Sequence, residues 1–289
     1  MIRIRKWFFG LFLLAVLVGL SSFIKNSVYA EDNRIVGTGD REDLLRSMAW
    51  LDNQDQPVVV ELFTSTDCPG CSVADSILFK IRDHEKIIAL GCHVDYWGNV
   101  GFDDPGTSEC TDRQWYYDSA RWDGEAELVT PQFITNGELK FRALFAYEIL
   151  SKIRVSHEKR RPLKWILFEE INEDTLRLYL PDDDHVVTNK GKPHGVWLIR
   201  YHDSEVIKIP PQSENESPRI VRYTNIVKRI FHAGRWYGIP RTLDVDLTNF
   251  SDEIRNKPGG WVALIQHMNG DRIVAAGKLP DPKQDPRAQ

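Results

Sequence analysis

Two cysteines two residues apart, in Cys68-Pro69-Gly70-Cys71, are the side chains of this chain best suited to chemistry. A thiol pair at this spacing can move two electrons. One thiolate attacks a disulfide, and the second resolves the mixed disulfide that forms. The ionised sulfur is the reactive species, so whatever favours its charge favours the reaction. Pro69 suits a first helical turn, where its missing N–H costs nothing, and Gly70 keeps the loop unhindered. Asp67 acts against the thiolate, because a neighbouring negative charge raises a thiol pKa. Cys68 is expected at an exposed tip as the nucleophile, with Cys71 one turn deeper as the resolving thiol. Two further readings stay open. One is half of a zinc site, which usually needs about four ligands; the other is a permanent structural disulfide.

The elements that must hold this pair can be read on either side of it. Val58-Val59-Val60-Glu61-Leu62-Phe63 is a short, β-branched run that suits a buried strand. Thr64-Ser65-Thr66-Asp67 supplies turn and cap chemistry. Val73, Ala74, Ile77, Leu78 and Ile81 recur at helical spacing, which predicts a helix to about His84. Ile87 to Val94 reads as a second buried strand, completing a βαβ unit. Before all of these, Arg41 to Leu51 reads as a helix with Asp40 as its cap. Beyond the loop of residues 95–110, Asp112 to Trp122 is a predicted helix, Gln132 to Thr135 a strand, and Asn136-Gly137 a hairpin signal. Leu139–Phe141 is its partner strand, and Ala143 to about Val155 a closing helix. The periodicity says α/β; the order β-α-β-α-β-β-α is that of thioredoxin. In such a unit, Thr130-Pro131 is the place for a cis proline facing the cysteines, with the Thr130 backbone able to pair with a substrate strand.

His93 and Asp95 sit where the second strand ends, and ligands of open α/β sheets bind at strand ends. His93 is a candidate to tune a thiolate or bind a metal, with Asp95 auxiliary to it. Packing of the whole His93-Val94-Asp95-Tyr96-Trp97 cluster is an equal alternative. Arg113, Gln114, Trp115 and Tyr116 read as one wet, aromatic helix face with a structural role.

The first thirty residues read as an export signal. Arg3, Arg5 and Lys6 precede an apolar stretch from Trp7 to about Phe23, and cleavage is expected after Ala30. Ser21 and Ser22 interrupt that stretch, which argues against an anchor, since about 20 apolar residues are needed to span a bilayer. A periplasmic or secreted location follows, without stable membrane insertion after cleavage. Disulfides persist in such a compartment, so Cys92 and Cys110 are a candidate structural pair. A second redox pair is the alternative, and sequence alone cannot choose among the pairings of four cysteines. The net charge of −5 does not suggest nucleic-acid binding.

After about Arg161 the character changes. Leu163–Phe168, Thr175–Leu180, Val196–Tyr201, Val206–Ile209, Ile220–Ile230, Thr242–Asp246, Trp261–Gln266 and Arg272–Ala276 read as strands with no convincing helix among them. The expected organisation is a signal over residues 1–30, a thioredoxin-like α/β domain over 31–158, an antiparallel β-sandwich-like domain over 159–281, and a disordered tail over 282–289.

Val60-Glu61-Leu62-Phe63-Thr64-Ser65, the CxxC with Ala74-Asp75, His93 to Trp97, Arg113-Gln114, Thr130-Pro131-Gln132 and Asn136-Gly137 together resemble a secreted, thioredoxin-like bacterial family, domain of unknown function 1223. Arg222 to Val227 and Gly234-Arg235-Trp236 extend the likeness into the β-rich half. The resemblance implies a thioredoxin-like fold and export, and no substrate. Pro-Gly between the cysteines, and the presence of Cys92 and Cys110, depart from the family pattern. The leading expectation is a thiol–disulfide oxidoreductase acting on protein or small-molecule disulfides, without cofactor or resident metal. Its site would be Cys68, Cys71, Thr130 and Pro131. The rivals are a Cu(I) carrier using Cys68, Cys71 and His93, since soft thiolates select that ion, and a non-catalytic scaffold on the same fold.

Overall fold

The computed structural model describes residues 41–97, 105–119, 128–142, 145–158, 161–188, 192–209, 218–270 and 272–280. All belong to one unit spanning residues 38–289. The first half runs α1 (Arg41–Ser47), β1 (Val58–Thr64), α2 (Cys71–Ile81), β2 (Ile87–His93), α3 (Ser108–Ser119), β3 (Gln132–Thr135), β4 (Leu139–Phe141) and α4 (Ala146–Glu158). The second half runs β5 (Lys164–Trp165), β6 (Leu167–Asn172), β7 (Thr175–Leu180), α5 (Asp184–Thr188), β8 (His194–Ile209) and β9 (Arg219–Trp236). It ends with β10 (Arg241–Asp246), α6 (Asp252–Arg255), β11 (Gly259–His267) and β12 (Ile273–Pro280). The expected signal segment, the Asp40 cap and the expected tail lie outside the described residues.

β1 is buried at every position, and it uses both of its faces. Alternate side chains of a strand point to opposite sides. Val58, Val60 and Leu62 pack with Ala74, Ile77 and Leu78 of α2 and with Ile149 and Ile153 of α4. Val59 and Phe63 pack the other way, with Cys110 and Tyr117 of α3 and with Ile199, Val262 and Leu264. The same alternation sends Glu61 to the α3 side, where it is 1% exposed.

β1 pairs parallel with β2 and antiparallel with β3, and β3 with β4. The β3–β4 turn is the expected hairpin. Asn136 and Gly137 hold φ of 50° and 69°, values these residue types tolerate. Asn136 Oδ1 also accepts from the Val59 amide at 2.9 Å, fixing the turn to β1.

The sheet does not stop at the expected domain boundary near residue 158. Its order is β4-β3-β1-β2-β9-β8-β11-β12-β5, nine strands drawn from both halves of the sequence. The join is Gly91 of β2 opposite Ile226 of β9. A Cβ on Gly91 would lie 2.8 Å from the Thr224 carbonyl oxygen, so this approach requires glycine. Beside it, Asn225 holds φ of 47° and donates its amide to the Ala89 carbonyl at 2.9 Å.

A second, three-stranded antiparallel sheet has the order β10-β7-β6. Its Leu176, Leu178 and Val245 pack on Val196, Leu198, Ala263 and Ile265 of the large sheet. The expected strands Val196–Tyr201 and Val206–Ile209 are one strand, β8. The intervening His202-Asp203-Ser204-Glu205 stays extended because β9 continues to pair alongside it, with His202 opposite Ile226, Ser204 opposite Thr224 and Glu205 opposite Tyr223. The second half also holds two short helices, α5 and α6, where none was expected. Their lengths of five and four residues are too short for a helical period to register. No helix among the described residues is long and apolar enough to cross a membrane.

Cys92 of β2 and Cys110 of α3 are disulfide-bonded, with Cα atoms 5.3 Å apart and a sequence separation of 18. Cross-linking a loop of that size restricts the unfolded chain by about 3 kcal/mol. The double variant Cys92→Ala, Cys110→Ala is expected to lose about that much stability. An unchanged midpoint in urea would show that the bond adds nothing to the fold.

Candidate functional site

β1 ends in the turn Ser65–Gly70, and α2 opens at Cys71 with Gly70 as its N-cap residue. The Cys71 amide donates to the Cys68 carbonyl at 3.1 Å, closing the turn. Cys68 and Cys71 are joined by a disulfide, with Cα atoms 5.3 Å apart. Cys68, Pro69 and Gly70 form part of the wall of a cleft of about 750 Å³. Thr130 and Pro131 line the same cleft, and their peptide bond is cis. Four expected positions thus come together: the two cysteines as a bonded pair, with Thr130 and Pro131 beside Cys68.

Cys68 is less open than expected. It is 6% exposed and Cys71 1%, so the order of burial is as expected but the first cysteine is not at a bare tip. It lies within the cleft, whose walls also include Tyr96, Trp97 and Phe145. These three aromatics are 38%, 40% and 49% exposed, so the site presents ring faces to solvent around a nearly covered sulfur. Arg142 and Glu148 add one charge of each sign to the lining.

Two polar links hold these walls. The Trp97 indole N–H donates to Thr130 Oγ1 at 2.7 Å. Gln114 of α3 donates its amide to the Val129 carbonyl at 2.9 Å and to Gln132 Oε1 at 3.1 Å. Its own Oε1 accepts from the Tyr96 hydroxyl at 3.2 Å. Gln114 therefore ties the Tyr96 wall to the segment carrying the cis proline. Sequence reading grouped Gln114 with Arg113, Trp115 and Tyr116 on one wet face. The helix separates them: Arg113 and Gln114 are buried, and Trp115 is exposed.

His93 and Asp95 are not part of this cleft. His93 is buried with its ring edge-on to Tyr223, centroids 4.5 Å apart. Burial, and then the charge of Lys228, push its pKa down to about 3. It is a neutral core imidazole at any ordinary pH. Asp95 is exposed and takes a hydrogen bond from the Thr111 hydroxyl, fastening its loop to α3. Among the described residues, no three His, Cys, Asp or Glu side chains are grouped to hold a metal ion.

One buried acid was not singled out from the sequence as a site. Asp75 lies on α2, one turn beyond Cys71, and Thr64 donates its hydroxyl to it at 3.0 Å. Burial pushes the Asp75 carboxyl up to about 8 against the opposing effect of that hydrogen bond. Apart from its place in the family motif, the sequence signal is an acid among the core positions Ala74, Ile77 and Leu78.

A crystal structure of a protein from Agrobacterium tumefaciens has the same fold. It shares 24% sequence identity and a TM-score of 0.64 over 78% of this chain and 96% of that one. No curated protein matches the sequence. The model of the family described as "Protein of unknown function (DUF1223)" matches residues 59–266, including β1 from Val59 onward, the cysteine pair, the cis proline and the join at Gly91. The chain belongs to that family.

Proposed function

We propose that this protein is an exported, thioredoxin-like thiol–disulfide oxidoreductase in which Cys68 is the nucleophile and Cys71 the resolving thiol. The observation that carries the proposal is the Cys68–Cys71 disulfide at the head of α2, in one cleft with the cis Thr130–Pro131 bond. A helix N-terminus supplies unpaired N–H groups and the positive end of a dipole, which favour a thiolate over a thiol.

In the reducing direction, the Cys68 thiolate attacks one sulfur of a substrate disulfide, and the other substrate sulfur leaves as a thiolate. The Cys71 thiolate then attacks Cys68, the Cys68–Cys71 bond closes, and the second substrate sulfur leaves. Two electrons pass from protein to substrate, and the reverse sequence oxidises a dithiol. Thr130 and Pro131 position the substrate chain beside Cys68. The N-terminal segment acts as the export signal, and the protein works in the periplasm or outside the cell.

The test combines redox titration with trapping. In glutathione buffers, alkylation and mass spectrometry should show Cys68 and Cys71 reducing and re-oxidising together while Cys92 and Cys110, 1% and 0% exposed, stay bonded. Cys71→Ser should capture substrates as mixed disulfides through Cys68, and Cys68→Ser should capture none. A pair that reduces only when the whole protein unfolds would overturn the proposal in favour of a structural bond.

A further inference from the structure

A second cavity, of about 710 Å³, has a lining of opposite character to the cysteine cleft. Its polar walls come from Arg161, His185, Lys192, His194, His267, Asn269 and Arg272, and no carboxylate is among its described lining residues. Three of these, Arg161, Lys192 and Arg272, are cations, in a chain whose net charge is −5. The Arg161 guanidinium is paired to Asp183, and Arg272 donates to the Arg161 carbonyl. Those contacts hold both arginines to the same wall.

The chemically specific part is His194. It is the first residue of β8, between Trp236 of β9 and His267 of β11. It is 2% exposed, and its ring centroid lies 4.1 Å from that of His267. Its Nδ1 lies 3.1 Å from the Lys192 carbonyl. A carbonyl only accepts, so Nδ1 carries the ring proton and Nε2 presents a lone pair. That Nε2 is buried and has no hydrogen-bond partner among the described residues. Burial and the neighbouring His267 push the His194 imidazole down to about 4, against the smaller opposing effects of the Lys192 carbonyl and Asp183. The ring is therefore neutral near pH 7. An unmet buried acceptor is destabilising, and a ligand that supplies a donor recovers that cost.

The cavity thus asks for negative charge and for one O–H. We infer that it binds a protonated oxyanion of the hydrogenphosphate class. The anionic oxygens would face Lys192, Arg161 and Arg272, and the remaining P–OH would donate to His194 Nε2. A divalent metal fits less well, because no three His, Cys, Asp or Glu side chains among the described residues are grouped to hold one and it would lie beside three cations. A fully deprotonated oxyanion fits less well too, because it would bring an acceptor against an acceptor.

Calorimetric titration of the full folded protein at pH 7.5 tests this with inorganic phosphate, sulfate, glycerol phosphate and Zn²⁺ as separate probes. Phosphate is expected to bind at least tenfold more tightly than sulfate, which carries no O–H at that pH. It should also bind more tightly than glycerol phosphate, whose ester group has lost its second proton (pKa about 6), and this contrast separates the free ion from an esterified source. His194→Phe should erase the preference for phosphate over sulfate. Lys192→Gln, at an exposed position, should weaken both anions several-fold and cover the case in which the His194 variant fails to fold. Equal binding of phosphate and sulfate, tighter binding of the ester, binding of Zn²⁺ alone, or no binding at all would each overturn the inference.

Discussion

Arg113→Met is expected to cost about 3–5 kcal/mol of stability, because it strands a carboxylate in the core. Glu61 and Arg113 are 1% and 4% exposed at their side chains. The Arg113 guanidinium grips Glu61 with both Nε and NH2, the latter at 3.1 Å, and NH2 also donates to the Tyr117 hydroxyl at 2.8 Å. Tyr117 completes the ring by donating to Glu61. Burial opposes the Arg113 charge, but Glu61 beside it more than restores it and raises its pKa. Removing one partner leaves the other charge dry and unpaired. Removing both is a different matter, since an apolar pair of similar volume is often neutral or better. The double variant Glu61→Leu, Arg113→Met should therefore recover most of the loss. Urea unfolding of the two variants decides it. A single variant within about 1 kcal/mol of wild type, or a double variant worse than the single, would show that this network is not what fixes α3 to β1.

That network also marks where sequence reading reached its limit. The β-branched run before the cysteines announced β1, and Asn136-Gly137 announced its hairpin, because both signals are local. The Cys68–Cys71 and Thr130–Pro131 positions were legible for the same reason: each is a short motif at the edge of a predictable element. Glu61 was visible only as a break in an apolar run, and nothing local names Arg113, 52 residues away, as its partner. The join of the sheet was equally hidden. Gly91 looks like one more small residue in a strand, and its need for glycine appears only when the Thr224 carbonyl arrives from β9. Of the two readings left open for His93, its burial against Tyr223 favours packing, and His194 carried no local signal at all. His93 Nδ1 and His194 Nε2 are both buried without a partner among the described residues, but His93 packs on Tyr223 while His194, at the start of a distant strand, lines a cavity.

Asp75→Asn is expected to stabilise the protein, by an amount that grows with pH. The carboxyl has an ordinary value of 3.8 and is held at about 8 in the folded chain, first of all by burial. Below about pH 4 it is protonated in both folded and unfolded states and contributes no pH dependence. Between about 4 and 8 the unfolded chain releases this proton and the folded chain keeps it, so stability falls as pH rises. Above about 8 both states are ionised and the cost is fully present. Each pKa unit corresponds to roughly 1.4 kcal/mol, so the loss across that window amounts to several kcal/mol. Asparagine is nearly the same shape, still accepts the Thr64 hydroxyl, and has no proton to lose. Wild type and variant should therefore unfold at closely similar urea concentrations at about pH 3.5 and diverge steadily to about pH 8.5, the variant the more stable above about pH 4. Parallel curves across that range would mean that Asp75 titrates as an ordinary carboxylate. The result bears on the cysteine pair as well, since Asp75 is one turn from Cys71. A protonated Asp75 places no negative charge one turn from the Cys71 sulfur at neutral pH. Under the proposed thiol–disulfide reaction, a carboxylate there would oppose formation of the Cys71 thiolate that resolves the mixed disulfide.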